Sequence, residues 1–352
     1  MTAFFSPPAD PLLKSLPKAN IHTHLEGSVR PQTLFELAQA QGVDLGIPAR
    51  QVEAALQVSG EERDLVDYLR KIGVTYPLLK NAAALQRTAC EAAEDAALDG
   101  VIYLELRAGP VTHCTDGLPL EEAIQSMLSG LGQAEREHGI VARLIVTALR
   151  SHDPAANLRL AQVAVAYRDA GVVGFDLADD EAHYPAELHR QALHTARQGG
   201  LGLTVHAGEA AGAETVRYAV QELGADRIGH GVHSIEDPSV LELLRQRRIL
   251  LEICPTSNVH TNAVPSLDQH PVRQLYDLGI PISIGDDDPV TSRTRLSNEL
   301  TLLSQHFAFS LSDLWKIQQM TLQASFLQDE ALRASLLEHI DQAWGASAAL
   351  HQ

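Results

Sequence analysis

The chain has little positive charge. Its 352 residues carry 27 Lys and Arg against 45 Asp and Glu, a formal net charge of −18. No Lys/Arg-rich run interrupts that balance, so nucleic acid and anionic membranes are disfavoured as partners; both repel such a protein at long range. Cysteine is scarce: Cys90, Cys114 and Cys254, with no CxxC spacing. That points away from a disulfide framework and suits a reducing compartment. Long apolar runs are missing, and no stretch approaches the roughly 18 residues that span a bilayer. The N-terminal MTAFFSPPADPLLKSLPKAN lacks the basic region and apolar run of a signal peptide. These absences lead to the expectation of a cytoplasmic protein. Aromatic residues make up only 5%, so the core is expected to be aliphatic and alanine-rich.

What is present is an alternation. Eight short apolar runs read as strands: Ala19 to His24, GVIYLELRAGP, IVARLIVTALR, VVGFDLAD, LGLTVHAGE, DRIGHGVH, RILLEICPTSN and IPISIGDDDP. Helical stretches separate them, several ending in glycine before the next strand (Gly139, Gly171, Gly200, Gly279). Alternating β and α elements argue for a parallel sheet, and eight such units for a (β/α)8 TIM barrel. The competing doubly wound sheet lacks its usual signs, since neither GxGxxG nor GxxxxGK[ST] follows any strand. The reading is one α/β barrel domain over 1–352, with extra helices inserted after strand 1 (about 30–99) and at the C-terminus.

In such barrels, chemistry sits at the C-terminal ends of the strands. Here those ends carry His22 and His24, His206, His230, and the run Asp286, Asp287, Asp288. The i, i+2 spacing of His22 and His24 puts both imidazoles on one face of a strand. Together with His206 and Asp287 they make a plausible ligand set for one zinc ion, which lowers the pKa of a bound water to about 7. Taken singly, each residue has a duller explanation. An HxH pair is short, an Asp after a strand is often a helix cap, and DDDP reads as a turn with Pro289 opening a helix. Glu209 is a general acid or base candidate, or simply a carboxylate at a helix N-terminus. His230, between glycines, is a partner for the metal's water or a structural rim histidine. Three matching elements at three strand ends favour the metal reading.

The segments LPKANIHTHLEGS, VVGFDLADDE, TVHAGE, RIGHGVHS, CPTSN and SIGDDDP, in this order, resemble the adenosine deaminase family of the amidohydrolase superfamily. The resemblance covers residues 16 to 330. It implies a mononuclear zinc (β/α)8 enzyme that removes the 6-amino group of an aminopurine as ammonia, turning adenosine into inosine. It implies His22, His24, His206 and Asp287 as ligands and Glu209 as proton donor to ring nitrogen 1. His230 is implied to orient and help deprotonate the water, and Asp288 to meet ring nitrogen 7. No lysine at the fourth strand end offers to bridge two metals, and no PCxxC marks the other zinc deaminase family.

Departures from the family pattern bear on the substrate. Glu26 stands where adenosine deaminases carry the aspartate that meets the ribose 5′-hydroxyl, as in the adenine deaminase subgroup. Asp179 replaces the glycine whose amide meets ring nitrogen 3. VTSRTRLSNEL after Pro289 lacks the YFGG-like element of adenine deaminases, which keeps adenosine ahead of adenine and 6-aminodeoxyfutalosine. His24, Glu26, Asp179 and Asp288 are thus the expected substrate contacts. An inactive purine-binding barrel and an amidohydrolase for an amide or lactone ring rank below. No functional weight falls on MTLQASF, which looks shortened relative to the family.

Overall fold

The computed structural model describes residues 5–350, so the first four and last two residues of the expected domain lie outside it. The strands are β1 Lys18–His24, β2 Val101–Ala108, β3 Val141–Leu149, β4 Val172–Ala178, β5 Gly202–Ala207, β6 Arg227–His230, β7 Leu250–Ile253 and β8 Ile282–Ile284. They pair in parallel and in sequence order, from β1 to β8. Closure occurs just past β8. The His24 N–H donates to the Asp287 carbonyl at 2.7 Å, and the Asp287 N–H donates to that of His22 at 3.0 Å. The fold is the expected TIM barrel, and these closing bonds fix two of the expected metal ligands against a third.

The β1–β2 connection holds the helices Pro31–Gln41, Val52–Leu56, Leu65–Ile72 and Ala82–Leu98. Asp64 and Asn81 start the last two by accepting from backbone N–H groups in the first turn. Helix Leu65–Ile72 buries Leu65, Tyr68 and Ile72 with Val58 in a small cluster of its own, apart from the main core. Three helices, Leu296–His306, Leu311–Gln323 and Glu330–Leu350, follow β8. DDDP does not open a helix at Pro289; the chain turns, and the next helix starts at Leu296.

The aliphatic core lies between the strands and the helices. Inside the barrel the packing is charged. Arg107, Glu105, Asp176, Arg227 and Glu252 are at most 1% exposed. Burying such groups is costly unless they are paired and hydrogen-bonded, and they are. Arg107 Nη2 donates to Glu252 at 2.8 Å, Arg227 Nη2 donates to Glu105 at 2.7 Å, and Arg227 Nε lies 2.6 Å from Glu252. The segment MTLQASF seals the barrel floor. The Phe326 ring lies 3.6 Å from the Arg227 guanidinium, and its backbone N–H donates to Glu105 at 2.6 Å. Gly174 and Gly202 make room for that ring, since a Cβ at either would fall within 2.6 Å of it.

Candidate metal centre and active-site cavity

His22 ends its strand with Nδ1 2.9 Å from Glu252 Oε2, and His206 with Nδ1 3.0 Å from Asp176 Oδ1. A carboxylate accepts, so each imidazole carries its proton on Nδ1 and turns a bare Nε2 away from the carboxylate. His22 Nε2 is buried with no hydrogen-bond partner. It lies 3.3 Å from Asp287 Oδ1, as does His24 Nε2. The bare nitrogen of His22 facing a carboxylate oxygen needs a cation between them. His22, His24, His206 and Asp287 each bring a ligand atom within 4.8 Å of the others, and this donor set fits a divalent metal. Asp287 is pinned by a 2.6 Å bond from Ser257 Oγ.

One guanidinium ties the two supporting carboxylates together. Besides Glu252, Arg107 donates to Asp176 Oδ2 at 3.4 Å and to the Ile21 carbonyl at 2.7 Å. These supports, Arg107, Asp176 and Glu252, are functional residues the sequence reading missed. Their signal was a charged residue at alternate positions within otherwise apolar strands.

Beside the ligands lies a cavity of about 510 Å³ whose lining includes His24, Glu26, Asp179, His206, Glu209, His230, Asp287 and Asp288. The structure thus brings every expected site residue to one place except His22, which sits just behind as an expected ligand. Burial, and then the Asp287 charge, push the Glu209 carboxyl up to about 8. The same two causes raise Asp288 well above the usual carboxylate range. Glu209 is therefore a hydrogen-bond donor at neutral pH, and Asp288 is pushed towards the same protonated form. Burial holds His230 well below the usual imidazole range. Glu209 does not cap a helix, which starts only at Ala213. Its turn is instead wrapped around Glu181, whose carboxylate accepts from the N–H groups of Gly208, Glu209, Ala210 and Ala211 at 2.7 to 3.2 Å. Glu181, the last residue of LADDE, was also missed. Tyr68 Oη donates to Asp288 Oδ2 at 3.1 Å, joining helix Leu65–Ile72 to the site.

The two departures have places to go. Glu26 Oε1 accepts from the Gly109 N–H at 2.9 Å and lies 2.8 Å from His113 Nε2. Burial pushes this carboxyl up, but His113 and the backbone N–H groups of Gly109 and Glu26 together outweigh it and hold it below its ordinary range. Asp179 adopts φ 89°, a left-handed value that glycine would take without strain. Its side chain turns aside to accept from the Ser151 N–H at 3.0 Å.

Among the described residues, no helix is long and apolar enough to cross a membrane. The family model described as "Adenosine deaminase" matches residues 17–343. A protein named adenosine deaminase from Shewanella denitrificans is 36% identical over 325 residues, covering 91% of this chain and 97% of that one. The crystal structure of an adenine deaminase from Arthrobacter aurescens superposes with a TM-score of 0.86 at 26% identity, over 93% of this chain and 98% of that one. An amidohydrolase from Burkhoderia ambifaria with bound zinc gives a TM-score of 0.86 at 27% identity, over 99% and 98%.

Proposed function

The chain belongs to the adenosine deaminase family, and from that premise we propose that it hydrolyses adenosine to inosine and ammonia with one zinc ion per chain. It is a deaminating hydrolase acting on a purine amidine, and its family is metal-dependent. The observation that carries the substrate reading is Glu209. A carboxyl held protonated up to about 8 lies in the same cavity as a four-residue ligand set.

In this reading His22, His24, His206 and Asp287 hold the zinc, which when bound supplies a Lewis acid that activates water at neutral pH. Glu209 donates its proton to purine ring nitrogen 1, which draws electrons from carbon 6. Asp288, protonated and steadied by Tyr68 on Oδ2, donates to ring nitrogen 7. The backbone N–H of Asp179 meets ring nitrogen 3, since its side chain is occupied by Ser151. His230 holds the attacking water on the side of Glu209 and Asp287, 3.5 and 4.0 Å away. Three donors reading three ring acceptors discriminate strongly, because a ligand lacking any one acceptor leaves a buried polar group unpaired.

Free adenine is the second reading, favoured by Glu26 and by the adenine deaminase among the similar structures. A panel of 6-aminopurines followed by ammonia release separates the two. Fastest turnover of adenosine supports the first. No turnover of adenosine beside fast turnover of another 6-aminopurine contradicts it.

A further inference from the structure

Behind His230 runs a chain of hydrogen bonds with only one consistent polarity. It begins at the backbone N–H of Val272, which can only donate. That N–H lies 3.1 Å from His270 Nδ1, so this nitrogen is bare. Burial pushes His270 down to about 3, so the ring is neutral and its one proton sits on Nε2. His270 Nε2 lies 3.2 Å from Asn258 Oδ1 and donates to it. The amide then turns Nδ2 towards His230 Nδ1 at 3.0 Å. An amide nitrogen can only donate, so His230 Nδ1 accepts and carries no proton. The single ring proton is left on Nε2, the nitrogen 3.5 Å from Glu209 and 4.0 Å from Asp287.

Flipping the Asn258 amide would set its N–H group against the N–H of His270, donor against donor. The three side chains are buried, with Asn258 and His230 at 0% and 1% exposure, and an unsatisfied donor there is expensive. The rim of Phe307 packs edge-on against His270, ring centroids 5.8 Å apart, and holds its plane.

We propose that His270 and Asn258 are positioning residues that fix His230 as the Nε2–H tautomer, making its site-facing nitrogen a hydrogen-bond donor. His230 then steadies the attacking oxygen by donating to it, and in its resting form does not take a proton from it. That consequence rests on the deaminase reading; the tautomer does not.

The test is a long-range proton–nitrogen NMR correlation on zinc-loaded protein labelled with 15N-histidine. His230 is identified by the signals lost in His230→Gln. The expected pattern is a bare, pyridine-type Nδ1 and a protonated, pyrrole-type Nε2. A protonated Nδ1, or a mixture of both forms, overturns the proposal. Asn258→Asp replaces the donor by an acceptor, so it should move the proton to Nδ1 and lower kcat by roughly 10²-fold at unchanged zinc content. An unchanged tautomer in that variant also overturns it. His270→Gln retains a donor for Asn258 and should retain the wild-type tautomer, whereas a purely structural role would give no such rescue. If Asn258→Asp fails to fold, the wild-type spectrum decides. If the wild-type ring is Nε2–H but the protein deaminates no aminopurine, the functional reading fails and this one stands.

Discussion

Glu209 and Asp288 are ordinary carboxylic acids pushed towards the protonated, donating form by where they lie. Burial raises both, and the neighbouring Asp287 charge adds to it. Glu209→Gln keeps the shape and removes the transferable proton. The expected outcome is full zinc content by metal analysis and kcat lower by roughly 10²- to 10⁴-fold; an unchanged rate would contradict the donor role. Gly27 is the second residue on which the site turns. A Cβ there would fall 1.8 Å from Asp288 Oδ1, a distance no contact tolerates. Gly27→Ala therefore displaces the Asp288 side chain. Its effect should be a rise in KM and a fall in kcat of at least roughly tenfold, as expected when a reading hydrogen bond is misplaced, with the metal retained.

At the scale of elements, the site is a set of strand ends held by charges inside the barrel. Glu252 on β7 orients His22 on β1, and Asp176 on β4 orients His206 on β5. Glu252→Gln leaves a neutral group that supports the imidazole less well and strands two guanidinium neighbours. Zinc affinity measured by chelator competition should fall roughly 10- to 100-fold, while an unchanged affinity would remove the supporting role. Helix Leu296–His306 contributes Glu299, which accepts from the Thr256 N–H at 3.1 Å and so braces the turn that carries Ser257 and Asn258. Burial raises Glu299 to about 7. Because its pKa in the fold lies above the unfolded value, its contribution to stability is complete below about pH 4.3 and is lost as pH rises through 7. Glu299→Gln should therefore be more stable than wild type above pH 7, by roughly 3–4 kcal/mol in denaturant unfolding, and should lose the difference near pH 4. The same gap at both pH values would contradict the shift.

At the scale of the whole molecule, one closed barrel gathers residues from widely separated stretches of chain. Much of that was legible in the sequence. Strands and helices alternate plainly, and His22, His24, His206, His230, Asp287 and Asp288 sit at strand ends, where a barrel converges. The charged interior was not. Each strand reads as an apolar run, which hides the alternation of Glu105 and Arg107 in YLELR, and Arg107 finds Glu252 across 145 residues of chain. The aliphatic, alanine-rich core expected from composition exists, but it is the layer outside the strands. MTLQASF likewise offered no local signal, because Phe326 matters through Gly174, Gly202 and Arg227, which no spacing rule connects to it. The direction of the Asp179 side chain depended on Ser151, in a loop after another strand.

The central claim is a metal-dependent hydrolysis of adenosine at this one centre. Its most direct test is ammonia release from adenosine by protein stripped of metal and then titrated with zinc. The account predicts no release without metal, and full recovery at one zinc per chain. Release that survives complete metal removal, or its absence in the fully loaded protein, would contradict it.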